Sequence, residues 1–223
     1  EPRVQGLQPA AASRRFPSYL APAMTQLPEL PLTLSRQEIR KMIRQRRRTL
    51  TPEQQQEMGQ QAATRMMTYP PVVMAHTVAV FLSFDGELDT QPLIEQLWRA
   101  GKRVYLPVLH PFSAGNLLFL NYHPQSELVM NRLKIHEPKL DVHDVLPLSR
   151  LDVLITPLVA FDEYGQRLGM GGGFYDRTLQ NWQHYKMQPV GYAHDCQLVE
   201  KLPVEEWDIP LPAVVTPSKV WEW

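Results

Sequence analysis

Cysteine is almost absent from this sequence. The one residue, Cys196, excludes an internal disulfide and any multi-cysteine zinc site. That suits a reducing compartment, and a cytoplasmic location is expected. Net charge is absent too: 23 Lys and Arg balance 23 Asp and Glu, so no overall field draws the chain to nucleic acid or a membrane surface. No apolar run approaches the length of a membrane span. Residues 1–23 lack the continuous apolar segment of a signal peptide and read as a disordered or appended tail, with Met24 a candidate natural start. Residues 24–223 then form a single domain. Glycine is sparse, eleven residues in all, yet four of them fall in "RLGMGGGFYDR", residues 167–177.

What is present reads as α/β. Residues 35–50 form a helix capped by Ser35, with Glu38 at the reciprocal capping-box position and an apolar stripe of Ile39, Met42 and Ile43. A second helix restarts at Thr51-Pro52, where proline's missing N–H costs nothing, and runs to about residue 68. Strands are expected at 77–83, 103–109, 116–122, 152–161, 190–195 and 212–217, with helices at 90–101 and 174–185. This alternation predicts a mostly parallel sheet with helices on both faces. Residues 123–150, with prolines at 124, 138 and 147, read as a long surface excursion.

The glycine-rich stretch lies between an apolar strand and a helix starting near Phe174. Without Cβ atoms, an anion can approach the backbone N–H groups there, and a helix N-terminus favours negative charge. Arg167 and Arg177 would neutralise phosphate, and Asp176 could hold Mg²⁺. A P-loop is excluded because no Lys-Ser or Lys-Thr pair follows, and a dinucleotide fingerprint starting at Gly169 meets Phe174 where its last glycine belongs. The alternative is a flexible turn that needs several positive φ angles.

Other candidates divide by chemistry. Arg36, Arg40, Arg44 and Arg48 recur every four residues as a basic row along the first helix. Its N-terminal members could reach phosphates, whereas Arg44 and Arg48 read as a solvated face. An RNA-contacting helix is the weaker reading, given zero net charge and no interleaved aromatics. Asp85, Glu87 and Asp89 cluster after the first strand, either as ligand carboxylates or as loop and helix-start charges. His194-Asp195-Cys196 is not read as a nucleophilic set, since neighbours on a strand point to opposite faces. The other histidines show no metal-ligand spacing.

"PLVAFDEYGQRLGMGGGFYDR" (157–177) closely resembles the 5-formyltetrahydrofolate cyclo-ligase, or methenyltetrahydrofolate synthetase, family. "VAVFLSFDGELDT", "KIHEP" and "VEEWDIPL" extend the likeness over about 35–217. The resemblance implies a sugar-phosphate-isomerase-like and CoA-transferase-like arrangement. It also implies a monomer that uses ATP and Mg²⁺ to close 5-formyltetrahydrofolate, polyglutamylated or not, into 5,10-methenyltetrahydrofolate. The same family likeness implies ATP contacts at Arg36, Gln37, Glu38, Ile39, Arg40, Arg167, Leu168, Gly169, Met170, Gly171, Gly172, Gly173, Phe174 and Tyr175. Folate contacts are implied at Arg40, Leu82, Glu87 and 170–174, metal ligands at Asp176 and Asp208, and catalytic roles for Arg40, Arg167 and Tyr175. Arg36, Met170 and Phe174 stand where relatives often have lysine, a basic residue and tyrosine. A folate- or nucleotide-binding regulator without turnover is the alternative on the same fold.

Overall fold

The computed structural model describes residues 34–223; the reading of 1–23 as a tail lies outside them. Two helices open the described chain. Helix α1 (Arg36–Arg48) and helix α2 (Pro52–Thr68) both begin with complete capping boxes, Ser35 with Glu38 and Thr51 with Gln54. Side-chain oxygens there satisfy N–H groups that the first turn leaves unpaired. A short α3 (Pro70–Met74) leads to β1 (Thr77–Ala79). There follow α4 (Gln91–Arg99), β2 (Arg103–Leu109), β3 (Leu117–Tyr122), the hairpin β4 (Leu128–Met130) and β5 (His136–Pro138), and β6 (Val145–Leu146). The remainder comprises β7 (Val153–Thr156), β8 (Ala160–Asp162), β9 (Arg167–Leu168), α5 (Phe174–Leu179), β10 (Gln188–Tyr192), β11 (Leu198–Val199), β12 (Ala213–Val215) and β13 (Val220–Glu222).

Eight strands make the main sheet in the order β13-β12-β10-β7-β1-β2-β3-β6. The middle is parallel, from β12 through β2, as the alternation of elements predicts. Both edges are antiparallel. The reason is connection length: β2 and β3 are joined by seven residues, 110–116, too few for a crossover that would return the chain in parallel. The sheet is therefore mixed.

Strand alternation sends side chains to two cores. Val78, Val80, Val104, Val153, Ile155, Val190 and Tyr192 meet Ala62, Met66, Leu93, Ile94 and Leu97 of α2 and α4. Ala79, Tyr105, Leu154 and Val214 face the opposite way, against Phe161, Leu179, Leu198 and Trp221. That second face is covered by α5 and a small sheet, β11-β8-β9, instead of by a layer of long helices. Helix α1 packs on this small sheet through Ile39 and Ile43, against Val159, Ala160, Leu168 and Val199.

Three sequence expectations change. The run 152–161 is two strands, not one: β7 belongs to the main sheet and β8 to the small one, with Pro157 between them. Proline fixes φ and offers no N–H to a ladder, which favours a break there. The helix expected over 174–185 ends at Leu179, and Asn181 adopts a left-handed φ of 59°. The excursion 123–150 is ordered by the β4–β5 hairpin and by β6 on the sheet edge.

Candidate functional site

A cleft of about 590 Å³ opens between the C-terminal side of β1 and β2, the first turns of α1, the glycine-rich loop and the β4–β5 hairpin. Arg36, Gln37, Arg40, Leu82, Glu87, Arg167, Gly169 to Tyr175 and Asp176 all line it. Residues 130 positions apart in sequence thus share one cavity, and most of the residues singled out above are among them.

The loop is held by guanidinium groups. Arg40, buried on α1, donates from Nε to the Gly169 carbonyl at 2.6 Å. Arg177 donates to the carbonyls of Gly172 and Gly115 and lies over the Phe174 ring, 5.5 Å from its centre. It serves as a clamp on the loop. Gly171 and Gly173 take φ angles of +107° and +72°, a region that L side chains rarely adopt, so these two positions require glycine. The turn reading accounts for the glycines, since the backbone needs positive φ, and the loop lines a cleft rimmed by cations. The loop is entered from the β8–β9 hairpin and leaves into a helix of only six residues. Arg40, more than a long helix dipole, sets the charge there.

Arg167 is buried beneath the loop. Its Nε donates to the Pro157 carbonyl at 2.9 Å, Nη1 lies 3.7 Å from Asp176, and the guanidinium stacks on Tyr175. Burial lowers its pKa, with Asp176 acting against that shift, and burial raises the phenol of Tyr175. Tyr175 is therefore a neutral hydroxyl at any ordinary pH.

The three early carboxylates do three different things. Asp85 sits at φ 49° and lies 3.8 Å from each of Arg44, Arg47 and Arg48, so that part of the basic row has an intramolecular partner. Asp89 accepts the N–H of Gln91 at the start of α4. Glu87 lines the cleft and accepts the Phe84 N–H at 2.9 Å. Burial raises its pKa to about 7, with Arg47 pulling the other way.

Some candidates stand apart from the cavity. Glu38 is occupied in the α1 capping box, and the side chains of Ile39 and Leu168 are buried in the core under α1. Asp208 is buried and held by Arg36 through both oxygens, at 2.5 and 3.0 Å, while also accepting the Glu205 N–H. Asp176 does face the cleft. Among the described residues no group of three or more His, Cys, Asp or Glu side chains could hold a metal ion by itself. His194 is buried, its Nε2 3.2 Å from the Gly86 carbonyl and its pKa lowered to about 4 by burial. The Cys196 thiol is pushed up to about 11, again by burial, which leaves it a poor nucleophile.

Sequence reasoning missed three features of the site. Arg47 is buried beside Glu87 and Asp85, at the position where the Ile39–Ile43 stripe continues by another four residues. Trp207 stands exposed on the lip, and the tip of the β4–β5 hairpin supplies Asn131, Leu133 and Ile135. Only Arg47 left a signal, a cation on an otherwise apolar face.

Fold and cleft together define an α/β protein in which a glycine-rich loop and several arginines border an apolar pocket that also carries Glu87. The family model described as the 5-formyltetrahydrofolate cyclo-ligase family matches residues 33–217, and the chain belongs to that family. It is 98% identical over 182 residues to the 5-formyltetrahydrofolate cyclo-ligase of Escherichia coli (strain K12), covering 82% of this chain and 100% of that protein. Identity to the Haemophilus influenzae cyclo-ligase is 53% over 179 residues, which is 80% of this chain and 96% of the relative. The NMR structure of Aquifex aeolicus 5,10-methenyltetrahydrofolate synthetase superposes with a TM-score of 0.73 at 28% identity, covering 85% of this chain and 93% of that one. Among the described residues no helix is long and apolar enough to cross a membrane.

Proposed function

We propose that this protein converts 5-formyltetrahydrofolate and ATP into 5,10-methenyltetrahydrofolate, ADP and phosphate. Family membership, with 98% identity to a cyclo-ligase, supports the reaction. One structural observation carries the site: Arg40 touches the Gly169 carbonyl at 2.6 Å in the same cleft that holds Glu87. Phosphate and pteridine would then lie side by side.

The chemistry fits what the residues offer. The formamide oxygen attacks the γ-phosphorus and ADP leaves, which turns a poor leaving group into phosphate. N10 then attacks the activated carbon and gives up its proton, the C–O bond breaks, and phosphate departs. No protein nucleophile is needed. Positioning and charge stabilisation are what the protein must supply. Loop amides with Arg40 would take the transferring phosphoryl group, and Arg36 and Gln37 the more distal nucleotide. Leu82 and Glu87 would hold the pteridine, the carboxylate accepting ring N–H groups. Tyr175 offers a neutral hydroxyl, and Arg167 holds Tyr175 and Asp176 in place.

Mg²⁺ is normally bound by one or two carboxylates together with phosphate oxygens and water. Asp176, facing the cleft, fits that requirement; Asp208 would join it only after leaving Arg36. A bound ion would neutralise charge on the nucleotide phosphates. We further infer a cytoplasmic monomer that acts on small molecules without nucleic acid or membrane partners, since the arginines of the basic row already have partners within the chain. Purified protein mixed with 5-formyltetrahydrofolate, ATP and Mg²⁺ should generate methenyl absorbance; folded protein that forms no product would end this reading.

A further inference from the structure

Arg40 ties α1 to the glycine-rich loop; two turns further along the same helix, Arg47 meets the turn that carries Glu87. That turn, residues 84–87, is closely defined. Asp85 and Gly86 take φ angles of 49° and 75°, and the Glu87 N–H closes on the Phe84 carbonyl at 3.0 Å. Two positive φ angles in succession are the pattern of a type I′ turn, for which Asp-Gly is a preferred pair. The Phe84 N–H returns to Glu87 Oε1 at 2.9 Å, which fixes one oxygen of the carboxylate. The Gly86 carbonyl accepts from Gln55 Nε2 at 3.3 Å and lies 3.2 Å from His194 Nε2.

Arg47 is set against this turn from behind. It continues the Ile39–Ile43 stripe of α1 and is only 3% exposed. A Cβ at Gly86 would stand 3.6 Å from the Arg47 Cβ, so the stem lies in contact with the turn backbone. Nη2 is 3.8 Å from Asp85, longer than a hydrogen bond, and among the described residues the buried Nε has no hydrogen-bond partner. Asp85 has Arg44 and Arg48 at that same 3.8 Å as well. A buried guanidinium with an unpaired donor is costly unless a counter-charge stands near it. Glu87 is that charge. Burial lowers Arg47 and raises Glu87; Glu87 opposes the first shift more strongly than Asp85 does, and Arg47 is the chief cation opposing the second.

Resting on the reading of Glu87 as the carboxylate that receives the pteridine, we propose that Arg47 is a positioning residue that holds the Glu87 carboxylate charged and turned to the cleft from behind the 84–87 turn. Arg47 touches no substrate itself, since it does not line the cleft. Four other groups bear on Glu87: Asp85 on its own turn, Arg167 from β9, Tyr175 from α5, and His194, whose ring meets the turn backbone. Asp85 opposes ionisation, and Arg167 favours it more weakly than Arg47 does. Tyr175 is neutral, and His194, lowered by burial to about 4, is neutral from pH 6 upward. Loss of Arg47 therefore raises Glu87 further, and the charged form that accepts ring N–H groups gives way to the acid at a higher pH.

The test titrates 5-formyltetrahydrofolate, without ATP, into wild type, Arg47→Met, Arg47→Lys and Arg48→Met across neutral and mildly alkaline pH, and then measures KM for both substrates. In wild type the folate dissociation constant should rise as pH falls through about 7. Methionine suits a position that continues an apolar stripe, so Arg47→Met should fold. It should weaken folate binding about fivefold at neutral pH and move the rise up by about one pH unit, with KM for ATP unchanged. Arg47→Lys keeps the charge without the planar fork; its pH dependence should stay near wild type while folate binding weakens about threefold. Arg48→Met removes an exposed arginine at the same distance from Asp85 and should match wild type. Equal losses for ATP and folate in Arg47→Met, or an unmoved pH dependence there, overturn the proposal. Should Arg47→Met fail to fold, Arg47→Lys decides alone: a loss confined to folate supports the role, and no loss overturns it. If folate binding shifts as expected while wild type forms no methenyl product, the reaction falls and the positioning role stands.

Discussion

Arg40 Nε and the Gly169 carbonyl meet at 2.6 Å, which ties the first helix to a loop 129 residues later in the chain. A Cβ at Gly171 would stand 3.7 Å from the same guanidinium, in ordinary van der Waals contact, so the terminal nitrogens lie alongside the loop. Arg40→Ala should lower kcat about a hundredfold or more, the scale of removing one donor aimed at developing charge. Arg40→Lys restores the charge without the planar fork and should recover only part of the rate. Methenyl absorbance under saturating substrates measures both. An unchanged kcat in Arg40→Ala would leave the guanidinium a purely structural tie.

Arg36 and Asp208 form a second tie, between α1 and the segment carrying Trp207. The contact is two-pronged, and the carboxylate is buried. Asp208→Ala leaves the guanidinium only the Pro203 carbonyl, at 3.3 Å, and the Glu205 N–H without its acceptor, and should cost about 1–3 kcal/mol in urea unfolding. Asp176→Asn keeps an oxygen acceptor for Arg167 and the Ile209 N–H, and should chiefly raise the Mg²⁺ concentration needed for half-maximal rate. If Asp208→Asn raises the Mg²⁺ requirement as much as Asp176→Asn does, Asp208 leaves Arg36 during turnover and holds metal. If it does not, its role is to hold Arg36.

The starts of α1 and α2 were legible because capping is local: Ser35 with Glu38 and Thr51 with Gln54 lie three residues apart and need nothing from the rest of the fold. The glycine-rich loop was legible for a similar reason, since positive φ at Gly171 and Gly173 writes itself into residue type. What long-range packing decides was not legible. Apolar periodicity over 152–161 cannot say that β7 and β8 join different sheets. Nor does it say that Asn131 and Glu137 will fasten a hairpin to Leu109 and bring it over the cleft. Asp208 and Arg36 are 172 residues apart, and no spacing in the chain foretells their pairing.

Arg177 bears on the loop from outside the cavity. It donates to the carbonyls of Gly172 and Gly115, so its loss frees a backbone whose shape is the binding surface. Arg177→Gln should raise KM for ATP several-fold and change the folate KM less. Gly173→Ala places a side chain at φ +72°, where its Cβ would meet an Arg177 nitrogen at 2.7 Å, and should have the larger effect on ATP. Initial rates across ATP concentrations separate the two. Equal effects on both substrates would mean that the loop moves as part of the whole cleft.

Two groups with opposed pKa shifts, Glu87 in the cleft and buried His194, should offset each other in mildly acidic solution. Glu87 is raised by burial from 4.5 to about 7, so between those values the folded state keeps a proton that the unfolded chain has lost. Its contribution therefore falls as pH rises through that window. His194 is lowered by burial from 6.5 to about 4; between those values the unfolded chain binds a proton that the folded state refuses. That contribution falls as pH drops. The windows overlap and the slopes oppose each other. Glu87→Gln removes the first term, so the variant should lose stability steadily as pH falls from 6.5 toward 4, where wild type changes little. Urea midpoints measured across that range provide the check. A variant with the same flat profile as wild type would mean that Glu87 is ionised throughout and that some other group balances His194.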